Sequence, residues 1–154
     1  LGSRHYSGGF HFSNQMEGER LKMDVDSYSP LAWAYLGDAL WEVYIREQLM
    51  QETLRKAGDY HNIAVPLVAA KTQATIVTSL WEKLTAKEQD IFRRGRNSCN
   101  NFRKTSTHQE YAYSTGFEAI LGYLYLADEK NRLNYLMEIS FLKGKEVAEN
   151  GRSS

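Results

Sequence analysis

The 154-residue chain is poor in the features that would decide its class at once. It has one cysteine, Cys99, so no intrachain disulfide can form and a reducing compartment is the default. It has two prolines, which favours long helices over a loop-rich β fold. Nineteen basic residues balance nineteen acidic ones, so the net charge is zero and the overall field selects no partner. No apolar run is long enough to span a bilayer. The four histidines, His5, His11, His61 and His108, stand apart from one another and from Cys99 at ligand spacing, so no structural zinc site is expected. No His-Asp dipeptide of the kind used by helical phosphohydrolases occurs. The lone cysteine has no evident base beside it and reads as an inert thiol.

What remains is ordinary globular composition, 42% hydrophobic and 25% charged, at a length that suits one domain. Residues 1–15, LGSRHYSGGFHFSNQ, have no apolar period and read as a frayed or expression-derived extension. Residues 1–25 are therefore expected to be tail, 26–148 the folded body, and 149–154 a second disordered tail. Ser29-Pro30 is a helix-start signal, and the apolar spacing predicts a helix from there to about Met50. Residues 51–62 are expected to be a loop or short helix. A second helix is predicted over about 65–84. Thr85-Ala86-Lys87-Glu88 is a capping-box pattern opening a third, which is expected to stop at Gly95. A polar loop over 95–106 follows. Thr107 to Glu110 forms another capping-box pattern, opening a helix to about Asp128, and 131–147 reads as the last helix. No β alternation appears, so the expected class is all-α.

Two acids lie inside apolar segments: Asp38 in LAWAYLGDALWEV and Glu118 in STGFEAILGYLYL. A buried carboxylate costs several kcal/mol unless it is paired or binds a cation. Gly37, Ala119 and Gly122 are small, so the two helices can approach and bring the acids together. Such a pair makes a hard oxygen site suited to Mg²⁺ with retained waters. Plainer readings pair Asp38 with Arg46, or make Glu118 the reaching-back acid of a capping box begun at Thr115. Glu42 suits either an outer acid of the site or a surface pair with Arg46.

The stretch from Arg93 to Gln109 has no acid and carries Arg93, Arg94, Arg96, Arg103 and Lys104 among Asn97, Asn100 and Asn101. Arginine and amide groups on a helix end and loop suit phosphate contacts, although a solvated loop explains a charge run equally well. Lys71, in AAKTQA, is a further cation candidate, or else a side chain snorkelling to water. Metal-activated water attacking a phosphodiester needs both acids and cations.

LAWAYLGDALWEVYIR resembles the signature helix of the ribonuclease III family, and STGFEAILGYLYL resembles that family's second acidic motif. AAKTQA and RRGRN are similar to its short subfamily, Mini-ribonuclease III. The likeness spans roughly residues 28–140. It implies an all-helical homodimer packed through the signature helices. It also implies Mg²⁺-dependent cleavage of double-stranded RNA (Mn²⁺ substituting) that leaves 5′-phosphate and 3′-hydroxyl ends. The subfamily lacks the double-stranded-RNA-binding domain and is associated with maturing precursor 23S ribosomal RNA. Affinity would then come from the dimer's own surface, and a ribosomal protein is a candidate for presenting the stem. The location implied is the cytoplasm for a bacterial source, or a plastid for a plant one. By position, Asp38 and Glu118 match the metal-binding acids; Arg94, Arg96, Asn97, Arg103, Lys104 and Lys71 become RNA-contact candidates. Two acids of full-length ribonuclease III are absent, as the resemblance to the short subfamily implies: Ala34 stands four residues before Asp38, and Thr115 three before Glu118. An alternative is a non-catalytic RNA-binding scaffold of the same fold.

Overall fold

The computed structural model describes residues 23–99 and 106–153, and the described residues form helices without strands. The elements are α1 (Pro30–Glu52), α2 (Ala57–Val68), α3 (Ala70–Ser79), α4 (Ala86–Asn97), α5 (Ser106–Leu126) and α6 (Lys130–Ser153). Short 3-10 turns lie at Val25–Ser27 and Trp81–Lys83. The all-α expectation holds. α5 is the central helix, packed on α1, α3, α4 and α6. A helix apolar around most of its circumference belongs in that place. Phe117, Ala119, Ile120, Leu121 and Leu124 of α5 are all nearly inaccessible to water. Trp33 and Trp41 of α1 close on them, edge to face with Tyr123 and Phe117.

The helix starts that were legible locally are built as the sequence specifies. Ser29 Oγ accepts the Ala32 N–H at 3.1 Å, with Pro30 in the first helical position. At α4, Thr85 Oγ1 accepts the Glu88 N–H at 3.1 Å and Glu88 Oε1 accepts the Thr85 N–H at 2.9 Å, a complete capping box. Glu88 does more than cap. It is 2% exposed and takes Arg132 of α6 in a two-pronged ion pair, both contacts 2.8 Å. The α5–α6 turn places Asp128 at φ 60°, with Glu129 N–H donating to Leu124 O at 2.9 Å and Asp128 N–H to Tyr125 O at 3.1 Å. That is a Schellman closure with Asp where glycine is usual.

Several boundaries differ from the sequence-based expectation. The helix predicted over 65–84 is broken: α2 starts at Ala57, Ala69 is extended, and α3 ends at Ser79. Carbonyls freed by the break find partners elsewhere: Trp41 Nε1 donates to Leu67 O at 3.2 Å, and Gln73 Nε2 to Val68 O at 3.4 Å. Gly95 does not stop α4, which runs to Asn97; it is a contact glycine whose added Cβ would meet Ala119 Cβ at 2.8 Å. Thr107 lies inside α5, which is already helical at Ser106, so it is not the cap. α6 continues through Glu149 to Ser153, past the point where the folded body was expected to end. Asn100, Asn101, Arg103 and Lys104, with His5, His11 and residues 1–22, lie outside the described residues.

Candidate metal centre and nucleic-acid interface

α1 and α5 run antiparallel and touch backbone to backbone. A Cβ placed on Gly37 would overlap the main-chain oxygen of Glu118, and one on Gly122 would overlap that of Trp33. Two glycines, one in each acidic segment, thus remove the side chains that would hold the helices apart. Asp38 follows Gly37 directly, so the crossing brings it beside Glu118. Burial, then the hydrogen bond and repulsion from Asp38, push the Glu118 carboxyl up to about 9; Glu42 adds to the rise and a hydrogen bond from Gln73 opposes it. The Glu118 carboxyl therefore keeps its proton at neutral pH when no cation is there to neutralise it.

One expectation is corrected. Asp38 is exposed, not buried, while Glu118 is half-buried. The apolar neighbours of Asp38 include Tyr35, which is 85% exposed, so that side of α1 faces outward. The plainer readings of both acids fail. Among the described residues no ion pair joins Asp38 to Arg46. Thr115 is in mid-helix and donates its hydroxyl to Tyr111 O at 3.0 Å, so it caps nothing. Ala34 and Thr115, the positions at which the resemblance to full-length ribonuclease III would place further acids, are both buried and bring no charge. Glu42, half-buried, is near enough to raise Glu118 electrostatically.

Among the described residues no group of three or more His, Cys, Asp or Glu side chains is placed to hold a metal ion. The donor set is two carboxyls with an amide behind them. Hard oxygens in so small a number fit a divalent cation that keeps most of its waters, and not zinc.

The cationic candidates are arranged around the same helix. α4 is seated on α5 at residues 115–119 through Gly95, which places its last turn beside the segment carrying Glu118. Arg94 is exposed, with its guanidinium 4.9 Å above the Trp33 ring. Arg96 lies 5.7 Å from the Phe92 ring and donates from Nε to Asn97 Oδ1 at 3.1 Å. These arginines therefore also roof aromatic side chains of the core. Lys71 is exposed in the first turn of α3. Cys99 is buried, and its thiol faces Gly95 O at 3.8 Å.

Sequence reasoning missed Gln73. It is 2% exposed, with its amide donating to Val68 O at 3.4 Å, and it opposes the rise of the Glu118 carboxyl. Its signal was available: a polar amide two residues beyond Lys71, within a helix that otherwise buries Thr72, Ile76 and Val77.

A helical bundle centred on two close-packed helices, each bringing one carboxyl to their crossing, is the architecture of a ribonuclease III domain. The family description "Ribonuclease III domain" matches residues 31–129. "Mini-ribonuclease 3" of Symbiobacterium thermophilum is 46% identical over 110 residues, covering 71% of this chain and 85% of that protein. "Mini-ribonuclease 3" of a Thermoanaerobacter species is 42% identical over 120 residues, covering 77% and 84% respectively. In three dimensions the chain is similar to the crystal structure of protein FN1578 from Fusobacterium nucleatum. The TM-score is 0.67 at 30% identity, covering 75% of this chain and 93% of that one. The chain belongs to the ribonuclease III family, endoribonucleases that act on double-stranded RNA with a divalent metal, and its relatives place it with the Mini-ribonuclease 3 group. Among the described residues no helix is long and apolar enough to cross a membrane.

Proposed function

We propose that this protein is a Mg²⁺-dependent endoribonuclease that trims double-stranded precursor 23S ribosomal RNA, leaving 5′-phosphate and 3′-hydroxyl ends. The observation that carries the reading is the glycine-lined crossing of α1 and α5, which sets Asp38, the neighbour of Gly37, beside Glu118. Both acids serve as metal ligands, with Mn²⁺ able to occupy the same oxygens. Bound there, the cation supplies an activated water and offsets phosphate charge. Asp38, on the exposed side, presents its carboxylate to incoming backbone; Glu118, half-buried, must give up its proton for the site to fill. Arg94, Arg96 and Asn97 hold the duplex from the end of α4, Lys71 adds a cation on α3, and Arg103 and Lys104, next in the sequence, supply further cations. So few phosphate contacts on a net-neutral chain give weak binding, which favours a ribosomal protein that presents the stem.

The active form in this reading is a homodimer in the cytoplasm. Leu31, Tyr35, Val43 and Met50 are exposed along α1, and a second copy of that helix would cover them. Sedimentation of the wild type as a dimer, and of Tyr35→Glu as a monomer, is the expected result.

Among the described residues the acids form a pair with no third carboxyl grouped to hold metal, which supports one rival: a non-catalytic RNA-binding scaffold of the same fold. Incubation with long double-stranded RNA in Mg²⁺, beside EDTA and Asp38→Asn, separates the two. Discrete cuts absent from both controls, with Asp38→Asn lowering the rate by several orders of magnitude, establish the nuclease. Binding without cutting, indifferent to Asp38→Asn, establishes the scaffold. Cleavage of a precursor 23S stem at single positions then tests the substrate.

A further inference from the structure

Three arginines near the end of α4 each lie over an aromatic ring: Arg93 over Trp81 at 5.3 Å, Arg94 over Trp33 at 4.9 Å and Arg96 over Phe92 at 5.7 Å. The rings differ in origin. Phe92 belongs to α4 itself and Trp81 to the short turn after α3, but Trp33 belongs to α1, the helix that carries Asp38. Trp33 is fully buried and held at its edges. Its Nε1 donates to Val25 O at 3.0 Å, and Tyr123 meets it edge to face at 5.1 Å. Tyr123 is pinned in turn, its hydroxyl donating to Asp26 Oδ1 at 3.0 Å. The main-chain oxygen of Trp33 lies against Gly122, in the same crossing that sets Asp38 beside Glu118.

Arg94 has an acid one turn back in α4, Asp90, at a spacing that suits an ion pair. Among the described residues it makes no ion pair with Asp90 or with any other acid. Its guanidinium lies on the indole instead. Stacking engages the face of a guanidinium and leaves its N–H edge open. Arg132 is the contrast: its edge is committed to Glu88 and to the Lys83 carbonyl. Arg94 is therefore exposed, fixed by a ring and open as a donor. A planar fork of that kind suits a phosphate. Asp38 lies five residues beyond Trp33 in α1, about 7.5 Å along the helix axis.

We propose that Trp33 is a positioning residue for RNA: its indole holds the Arg94 guanidinium flat between α1 and α4, so that the open edge grips a duplex phosphate at a set distance from the acid pair. The proposal rests on the reading of the end of α4 as an RNA contact.

The test is a double-mutant cycle on the full chain: wild type, Trp33→Leu, Arg94→Ala and the double variant, with Trp33→Phe beside them. Leu removes the ring face; Phe keeps a face and loses the N–H to Val25. Duplex RNA Kd is measured in EDTA well below each Tm, KM and kcat in Mg²⁺, and the Arg94 Nε–H resonance by NMR. Trp33→Leu is expected to weaken duplex binding and raise KM about two- to fivefold when Arg94 is present, with kcat close to wild type. In the Arg94→Ala background it should change neither. The Arg94 resonance, displaced by the indole ring current in wild type, should return toward its free position in Trp33→Leu. Equal losses in both backgrounds would mean a general loss of structure and overturn the proposal, as would an undisplaced Arg94 resonance in wild type. Should Trp33→Leu not fold, Trp33→Phe carries the same cycle, and absence of coupling to Arg94 overturns the proposal there too. Wild type that binds no duplex RNA takes down the reading of α4 and the proposal together. Duplex binding that Arg94→Ala leaves unchanged, while Arg96→Ala weakens it, removes the proposal alone.

Discussion

Gly37 of α1 rests on the main-chain carbonyl of Glu118 in α5, closer than any side chain would allow. The residue that permits the helix crossing is the immediate neighbour of Asp38, so packing and chemistry are set by one dipeptide. Its partner Gly122 does the same one turn along, against Trp33 O.

Gly37→Ala is expected to force the two helices apart. Overpacking a core commonly costs about 1–3 kcal/mol, and an overlap with backbone belongs at or above the top of that range. Urea denaturation should show a large fall in midpoint, and any surviving folded fraction should lose Mg²⁺ binding because the carboxyls separate. Gly58→Ala is the control. It has open space around it and sits in α2, where replacing glycine should be neutral or stabilise by up to about 1 kcal/mol. Equal stability of the two variants would refute the crossing argument.

Glu118→Gln should change how stability depends on pH in metal-free protein. The folded carboxyl is raised to about 9 from an ordinary 4.5, chiefly by burial and then by Asp38. Between those values the unfolded chain has released a proton that the folded chain retains. Stability therefore falls as pH rises through that window, the opposite of the usual acidic group. In EDTA, wild-type Tm should drop from about pH 5 to about pH 9, and the Gln variant should lack that component of the slope. Mg²⁺ added at the alkaline end should raise Tm of the wild type and leave Glu118→Gln unmoved. Identical slopes in EDTA would show that Glu118 holds no raised proton.

Local signals made much of this legible. Ser29-Pro30 and the Thr85–Glu88 box announce α1 and α4 because a cap is a contact between neighbours in sequence. Asp38 and Glu118 are legible because an acid in an apolar run needs a reason, and the adjacent glycines showed that the runs could meet. The break at Ala69 was not legible. Ala69, Ala70 and Lys71 all favour helix, and the groups that satisfy the freed carbonyls include Trp41, far away in the chain. Gly95 misled for a related reason: a glycine ends a helix or admits a neighbour, and only the position of Ala119 decides which. The exposure of Asp38 was hidden because α1 is apolar on two sides, one facing Trp33 and Trp41 and the other facing outward at Tyr35.

Arg132→Met should be among the most damaging substitutions far from the acid pair. Glu88 is almost wholly buried, and Arg132 is its charge partner. Removing one member of a buried pair costs about 3–5 kcal/mol, because the other charge is stranded. Burial alone would raise the Glu88 carboxyl, but the bonds from Arg132 and Thr85 outweigh it and hold the group below its ordinary range. Its contribution is therefore present at neutral pH and lost as pH falls through that depressed value. Acid denaturation should show a flatter acid limb for Arg132→Met than for wild type. A loss of stability equal at neutral and strongly acid pH would mean that the pair contributes packing rather than charge.

Arg94 and Arg96 should separate under substitution although they sit two residues apart. Each phosphate contact removed lowers the salt dependence of RNA binding, by about one unit of log–log slope. Arg96→Ala should weaken duplex RNA binding across sequences and reduce that slope with a small fall in Tm, since its guanidinium is 5.7 Å from the Phe92 ring. Arg94→Ala should do the same with a larger fall in Tm, because its guanidinium sits closer, 4.9 Å above Trp33, a contact worth about 0.5–1 kcal/mol at exposed sites. Arg94→Lys retains the charge without the planar stack, so it should restore most of the salt slope and less of the stability. Filter binding over a range of KCl, with Tm measured on the same preparations, reads both quantities. An unchanged slope in Arg96→Ala and Arg94→Ala alike would remove the end of α4 from the RNA-facing surface and leave its arginines as lids on the aromatic core.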